Sequence, residues 1–353
     1  MSPTVETPRP RLSVCIPTYN FGRFIRETLD SVLCQMCPGV EIIVLDSGST
    51  DDTPSVVQQL QHAHECLRYV RAEERRGIDR DMAEVVRLAR GDYCWLFSAD
   101  DLMKPGALTA VLSEIGTGHD VYLCMHSNDS LTMQQVDASH PVLNLQEGRL
   151  FQLADADQQS KYFALALTTE AFFSFMGGLI VRKPAWDSVQ LNEAFVGTCW
   201  AHVARLFELM TIGLTVKYLA KVLVRRRADN DSFASRGVVR RYALAIEGYQ
   251  QLGAYFWGGK SDQALHIRRV LRREFRLGVF LNAKRICAID PQVEDRQLLN
   301  QLFASVYSDP LVACWVSRVA FRVLPGALVV PARRAYQFLR ACRRGSIAMA
   351  SRR

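Results

Sequence analysis

The chain has 353 residues, 49% of them hydrophobic and 22% charged, with a formal net charge of +7. That apolar fraction can bury one large core or two smaller ones and excludes a disordered body. The opening MSPTVETPRP has no signal-peptide apolar segment, and ten cysteines lie scattered, several in apolar runs such as SVCIP and YCWLF, so reduced thiols and a cytosolic location are expected. The positive charge is local. From Lys260 onward basic residues outnumber acidic ones three to one, and no acidic residue follows Asp309.

In chain order, LSVCIP (12–17) reads as a short buried strand ended by Pro17, and GRFIRETLDSVLCQ (22–35) repeats apolar residues at helical spacing. VEIIVLD (40–46) is a second strand, STDDTPSVVQQLQ opens a helix with cap-forming side chains, LRYV (67–70) is a third strand and RDMAEVVRLA (80–89) a third helix. YCWLF (93–97) follows as a fourth strand. Apolar strands alternating with helices predict an α/β fold with a mainly parallel sheet covered on both faces, whose ligands bind beyond the carboxyl ends of the strands.

Further along, 105–115 reads as a helix, DVYLCM (120–125) as a strand, and 126–160 as an irregular polar segment. FMGGLIVRKPAW (175–186) suggests a strand approached closely by other backbone at its glycines, and CWAHVARLFELM (199–210) an amphipathic helix. TVKYLAKVLVRRRADNDSF then supplies one or two strands ending in a basic and polar loop. Beyond about 236 the pattern is helical. The division expected is a flexible N-terminus over 1–11, a catalytic domain over 12–235 and a helical basic region over 236–353.

Three strand ends carry polar groups. The first leads to Pro17, Thr18, Tyr19 and Asn20, the second to DSGSTDD from Asp46, the fourth to SADD with Asp100 and Asp101. Parallel strands bring these loops together. Adjacent carboxylates repel and raise each other's pKa, and a hard divalent cation, Mn²⁺ or Mg²⁺, with its oxygen ligands and a substrate's phosphates relieves that repulsion. A lone Asp pair before a helix is more often cap chemistry. CQMC (34–37) with His62, His64 and Cys66 lacks the spacing of a closed zinc site.

Taken as an ordered set, IPTYN, VLDSGSTDDT and ARGDYCWLFSADD resemble glycosyltransferase family 2, continuously from about Leu12 to Leu108 and more weakly to about 235. The resemblance implies a GT-A type fold and transfer of a sugar from a nucleotide-diphosphate donor. It implies that Pro17, Thr18, Tyr19 and Asn20 line the nucleotide, that Asp46 contacts base or ribose with Asp51 in the same loop, and that Asp100 and Asp101 hold metal and diphosphate. Arg80 and Asp81 only approximate the family's Arg-Asn. The family commonly has Asp-x-Asp-Asp where this chain has Ser98, Ala99, Asp100 and Asp101, which puts a third carboxylate out of reach.

Direct displacement needs a base for the acceptor hydroxyl. The family usually places an acid at the start of the acceptor-facing helix, but GTCWAHVARL has none. His202 is the preferred base because imidazole titrates near neutrality, Glu193 is the alternative, and Trp200 is placed to stack on a sugar ring; core packing of His202 and Trp200 is the plainer reading. Helices over 311–324 and 332–344 set apolar stripes against arginines. They suit either an anionic membrane surface at the inner face of the cytoplasmic membrane or packing on the core. The expectation is therefore an inverting, metal-dependent transferase acting on a lipid-linked or other glycan acceptor, with no nucleic-acid partner. A non-catalytic transferase-like scaffold and a sugar-nucleotide nucleotidyltransferase are the other readings.

Overall fold

The computed structural model describes residues 9–230, 236–291 and 294–325. The expected helix over 332–344 and most of the expected flexible N-terminus lie outside the described residues. The chain splits into two compact units, one comprising Met1–Asp231 with Leu252–Ile267, the other Ser232–Gln251 with Arg268–Arg353.

The first unit runs β1 (Leu12–Thr18), α1 (Gly22–Leu33), β2 (Val40–Asp46), α2 (Thr53–Ala63), β3 (Leu67–Arg71), α3 (Ile78–Leu88) and β4 (Tyr93–Leu96). It continues with β5 (Leu102–Met103), α4 (Ala107–Glu114), β6 (Val121–Asp129), β7 (Gln135–His140), β8 (Arg149–Gln152) and α5 (Ala156–Leu165). Then come β9 (Leu179–Arg182), α6 (Lys183–Asp187), α7 (Ala201–Ile212) and β10 (Thr215–Arg227). The ten strands form one sheet in the order β3-β2-β1-β4-β9-β6-β10-β5, with β7 on β6 and β8 on β10.

β1 lies parallel between β2 and β4, in registers that set Thr18 beside Asp46 and Cys15 beside Leu96. All three strands are buried along almost their full length. Val14, Ile16, Ile42, Val44, Trp95 and Phe97 form the centre of the core with Ile25, Leu29 and Val32 of α1. Each such side chain contributes roughly 1.5–3 kcal/mol on burial. Gly91 is required where the chain enters β4, because a Cβ there would lie 2.8 Å from the Ser13 backbone nitrogen.

β9 runs antiparallel to both β4 and β6, pairing Tyr93 with Arg182 and Val121 with Val181. Its amino end therefore lies level with the end of β4, while β6 runs on beyond it to Asp129. The preceding glycines allow this: the Gly177 carbonyl accepts from the Trp95 indole at 2.8 Å, and a Cβ on Gly178 would sit 3.1 Å from the Cys124 carbonyl. The segment 126–160, read from sequence as irregular, contains the end of β6, two short strands and the first half of α5. β7 escaped the pattern reading because it is exposed on both faces and has no apolar alternation.

The second unit contains the start of α8 (Val238–Trp257), the end of α9 (Asp262–Glu274), α10 (Leu277–Ile289), α11 (Arg296–Val306) and α12 (Val312–Val323). Glu294 caps α8, its carboxylate accepting from the Val238 and Val239 amides. Phe321 of α12 stacks on Phe303 of α11 at 4.0 Å. The remaining apolar face of α12 is open, with Val312 80% and Trp315 60% exposed. No helix among the described residues is long and apolar enough to cross a membrane.

Candidate functional site

The loops after β1 and β2 are bonded into one structure. Ser47 N–H donates to the Thr18 carbonyl, Asn20 N–H to Ser49 Oγ, and Thr50 N–H to Asn20 Oδ1. Asn20 adopts φ 60°, a left-handed conformation that asparagine tolerates better than most residues. Asp46 is fully buried and closes the loop: Oδ1 accepts from the Ser49 amide at 2.8 Å, Oδ2 from the Tyr69 hydroxyl at 2.6 Å. Burial and the Asp46 carboxylate together push the Tyr69 phenol pKa up. Asp51 ties this loop to α1, accepting from Gly22 N–H at 2.9 Å and Thr53 N–H at 3.0 Å. Those hydrogen bonds outweigh the desolvation that opposes them and lower its pKa.

The sequence-predicted residues Thr18, Tyr19, Asn20, Asp46 and Asp51 are thus assembled at one place, next to Pro17 in β1. Two features suit a nucleotide. Thr18 Oγ1 is buried without a hydrogen-bond partner, and the Arg75 guanidinium stacks directly on the Tyr19 ring at 4.3 Å, which sets a positive charge beside the loop. Beside it, a cavity of about 350 Å³ is lined by Leu45, Val70, Arg71 and Arg76, among others. Asp81 is buried nearby, its pKa raised by that burial.

The acidic loop after β4 is built differently. Asp100 accepts from the Ser98 hydroxyl on Oδ1 and from the Asn230 amide on Oδ2 at 2.7 Å. Asp101 accepts the Arg227 amide at 2.8 Å, while the Arg227 side chain donates to the Asp100 carbonyl and to Glu27. Asp101 is only 3% exposed, and burial followed by the Asp100 charge pushes its pKa up to about 7. Two adjacent carboxylates carry a surplus of negative charge on oxygen that a hard divalent cation would neutralise; the residues fit such an ion. Ser98 therefore occupies the place of the expected third carboxylate as a hydrogen-bond donor to Asp100.

His202, Glu193 and Trp200 are not brought together in the same way. His202 is 3% exposed; Nε2–H donates to the Phe173 carbonyl at 3.0 Å, leaving Nδ1 without a partner. Burial lowers its pKa, against the opposing pull of Asp79. The Trp200 ring lies 6.4 Å from the imidazole and is mostly buried. Glu193 stands on the surface in a two-pronged pair with Arg80 at 2.8 and 3.2 Å.

Sequence reasoning passed over Asp79 and Asn230. Asp79 in the first turn of α3 accepts from the amides of Gly197, Cys199 and Ala201, fixing the entry to α7. Its signal, an acid in the first turn of a helix, looks like dipole chemistry. Asn230 stood within a quoted polar loop, but no spacing rule connects it to Asp100. Also unforeseen is a cluster where β6, β7 and the turn before β9 meet. His126 Nε2 faces both Glu170 oxygens at 3.0 and 2.9 Å, and His140 stacks on His126 with ring centroids 4.8 Å apart. Burial lowers the His140 pKa; for Glu170 desolvation is outweighed by the His126 hydrogen bond together with the charges of His126, His140 and Arg226, and its pKa is lowered. Arg226 donates to Asn128 beside them.

A mainly parallel sheet with β9 inserted antiparallel and an acidic loop beyond its centre is the arrangement of a GT-A fold, and comparison with solved structures agrees. TarS 1–349 of S. aureus, solved in complex with UDP-GlcNAc, is similar with a TM-score of 0.56 at 16% identity, over 84% of this chain and 81% of that one. Mannosyltransferase PcManGT from Pyrobaculum calidifontis, solved with GDP-Man and Mn²⁺, gives 0.51 at 19% identity, over 93% and 87%. At these identities the likeness is one of fold. Residues 13–159 match the family described as Glycosyl transferase family 2. Abequosyltransferase RfbV of Salmonella typhimurium is 28% identical over 267 residues, 74% of this chain and 80% of that protein. The GalNAc(5)-diNAcBac-PP-undecaprenol beta-1,3-glucosyltransferase of Campylobacter jejuni is 26% identical over 273 residues, 70% and 82%. Over residues 13–159 the chain is thus similar to glycosyltransferase family 2.

Proposed function

We propose that the protein is an inverting, metal-dependent glycosyltransferase that moves a sugar from a nucleoside-diphosphate donor to a hydroxyl of a lipid-linked glycan in surface polysaccharide assembly. The observation that carries this reading is the convergence, at the carboxyl edge of β1, β2 and β4, of a preformed polar loop and a strained acidic pair. Pro17, Thr18, Tyr19, Asn20 and Asp46 would hold the nucleoside, with Asp51 bracing their loop. Asp100 and Asp101 would hold Mn²⁺ or Mg²⁺ against the diphosphate, with Asn230 orienting Asp100. The cation supplies charge stabilisation for the departing diphosphate.

For the acceptor proton, His202 is the preferred group. Nε2–H is committed to Phe173, so the free lone pair is on Nδ1, and a lowered pKa keeps that nitrogen unprotonated at neutral pH. Glu193 is the alternative, and Trp200 would pack against the acceptor sugar. The lipid-linked acceptor draws support from the printed acceptor of the Campylobacter relative and from the open apolar face of α12. With Arg318 and Arg322 along it, that helix suits an anionic inner membrane surface. A peripheral position there, on the cytoplasmic side, follows from the reading.

The test is release of nucleoside diphosphate from a panel of UDP-, GDP-, CDP- and dTDP-sugars, with and without Mn²⁺, in the presence of membrane lipid extract. Metal-dependent turnover with one donor, and product of inverted anomeric configuration by NMR, is the expected outcome. Binding without turnover for every donor would instead support a non-catalytic scaffold. His202→Gln and Glu193→Gln separate the bases by which one flattens the acidic limb of the pH–rate profile.

A further inference from the structure

We propose that His126, His140 and Glu170 form a second metal site, separate in donor chemistry from the Asp100 and Asp101 pair, that takes a borderline transition ion of the Zn²⁺ class. One potential ligand atom from each residue lies within 4.8 Å of the others. His126 Nε2 is 2.9 Å and His140 Nε2 3.8 Å from the same carboxylate oxygen, Oε2 of Glu170. Tetrahedral zinc with bonds of about 2.0–2.1 Å sets its ligand atoms about 3.3 Å apart, so these two separations straddle the required value.

Hydrogen counting supplies the second argument. The His126 imidazole is fully buried, and its Nδ1 faces the Ser127 carbonyl at 2.9 Å, which can only accept. Nδ1 therefore carries a proton. Nε2 points at two carboxylate oxygens, which also accept, so its position must hold either a second proton or a cation. A histidine whose far nitrogen donates to a backbone carbonyl while the near one faces a carboxylate has the usual arrangement of a metal ligand. The partly exposed His140 ring, stacked on His126 with centroids 4.8 Å apart, would turn to bring its Nε2 lone pair onto the same ion. Two imidazoles with one carboxylate favour Zn²⁺ over Mg²⁺, whose preference is for oxygen alone. The His140 side chain is 33% exposed and that of Glu170 12%, which leaves a path for the ion and room for a water as fourth ligand.

The site would pin the β6–β7 hairpin to the turn that leads into β9. These elements come from distant parts of the chain, with 44 residues separating His126 from Glu170. The full-length protein, stripped with a chelator, should be titrated with Zn²⁺ against a chromophoric competitor and separately with Co²⁺ followed by visible absorption. With excess Mg²⁺ present to occupy the acidic pair, the wild type is expected to take one Zn²⁺ and to give Co²⁺ bands of low coordination number. His140→Ala and Glu170→Gln should weaken that ion by at least about 100-fold, the upper end of what outer-shell changes cost. Asp100→Ala should leave it unchanged.

Failure of the wild type to bind Zn²⁺ at micromolar concentration, or wild-type affinity in folded His140→Ala, overturns the proposal and leaves a proton in the Nε2 position. Loss of the ion in Asp100→Ala also overturns it, because the ion would then sit on the acidic loop. His140→Ala changes a partly exposed side chain, so the test stands even if Glu170→Gln fails to fold. The donor-sugar reading is unaffected by any of these results.

Discussion

Two loops at the same sheet edge have opposite electrostatic characters. Around Asp46 the carboxylate's hydrogen bonds are met by the loop itself, through the Ser49 amide and the Tyr69 hydroxyl, with Arg71 at 3.9 Å. Around Asp100 and Asp101 two buried carboxylates are adjacent, and the second has its pKa pushed up to about 7. On the proposed nucleoside side the Asp46 carboxylate is satisfied before any ligand arrives, while Thr18 Oγ1 is left without a partner. The proposed diphosphate side would gain from a positive charge, so binding free energy should be concentrated there.

The most severe way to break this asymmetry is Asp100→Ala. Transfer should fall on the order of a thousandfold, equivalent to about 4 kcal/mol, measured as nucleoside diphosphate release with saturating Mn²⁺. Near-normal turnover would remove the acidic pair from the reaction. Next in size, Asp46→Ala should act on stability, stranding the Ser49 amide and the Tyr69 hydroxyl at a cost of about 2–4 kcal/mol in denaturant unfolding. An unchanged midpoint would show that the loop does not depend on Asp46.

A third prediction uses pH. The folded-state pKa of Asp101 lies above its ordinary 3.8, so the metal-free protein should be favoured at low pH and lose stability as pH rises through about 7. A cation must displace that proton, so Mn²⁺ affinity should fall by up to about tenfold per unit below pH 7. Calorimetric titrations at pH 6 and 8 measure it, and pH-independent affinity would contradict the raised pKa. The smallest effect is expected from Ser98→Asp, which exchanges a hydroxyl donor to Asp100 for a carboxylate. Mn²⁺ affinity should rise, by less than about tenfold, while the metal-free melting temperature drops because a third negative charge joins the pair.

Much of this edge was legible in the chain. Pro17 to Asn20, Asp46 and the Asp100–Asp101 pair follow strands whose apolar runs are unmistakable, and parallel pairing then forces their loops together. Asp79 and Asn230 were hidden because each acts through a partner more than a hundred residues away. Asp79 caps the loop before α7, and Asn230 donates to Asp100. His126 and His140 lay in a segment read as irregular, and Glu170 in a loop without a readable motif. Only the antiparallel pairing of β6 with β7 sets the two rings face to face.

The C-terminal stripe shows the same limit from another side. Apolar positions at 312, 315, 316, 319 and 323 are plain in the sequence, yet whether they are covered depends on packing, and in α12 they are open while Cys314 and Phe321 are buried. The sequence by itself determined the α/β alternation, the polar strand ends and the acidic pair, since local hydrophobic period and turn chemistry are short-range properties. The tertiary structure alone decided that β9 runs antiparallel, that Asp101 is desolvated beside Asp100, and that two histidines meet a glutamate. Each of these is a contact between residues far apart in the chain, and burial and charge become energies only once such contacts exclude water.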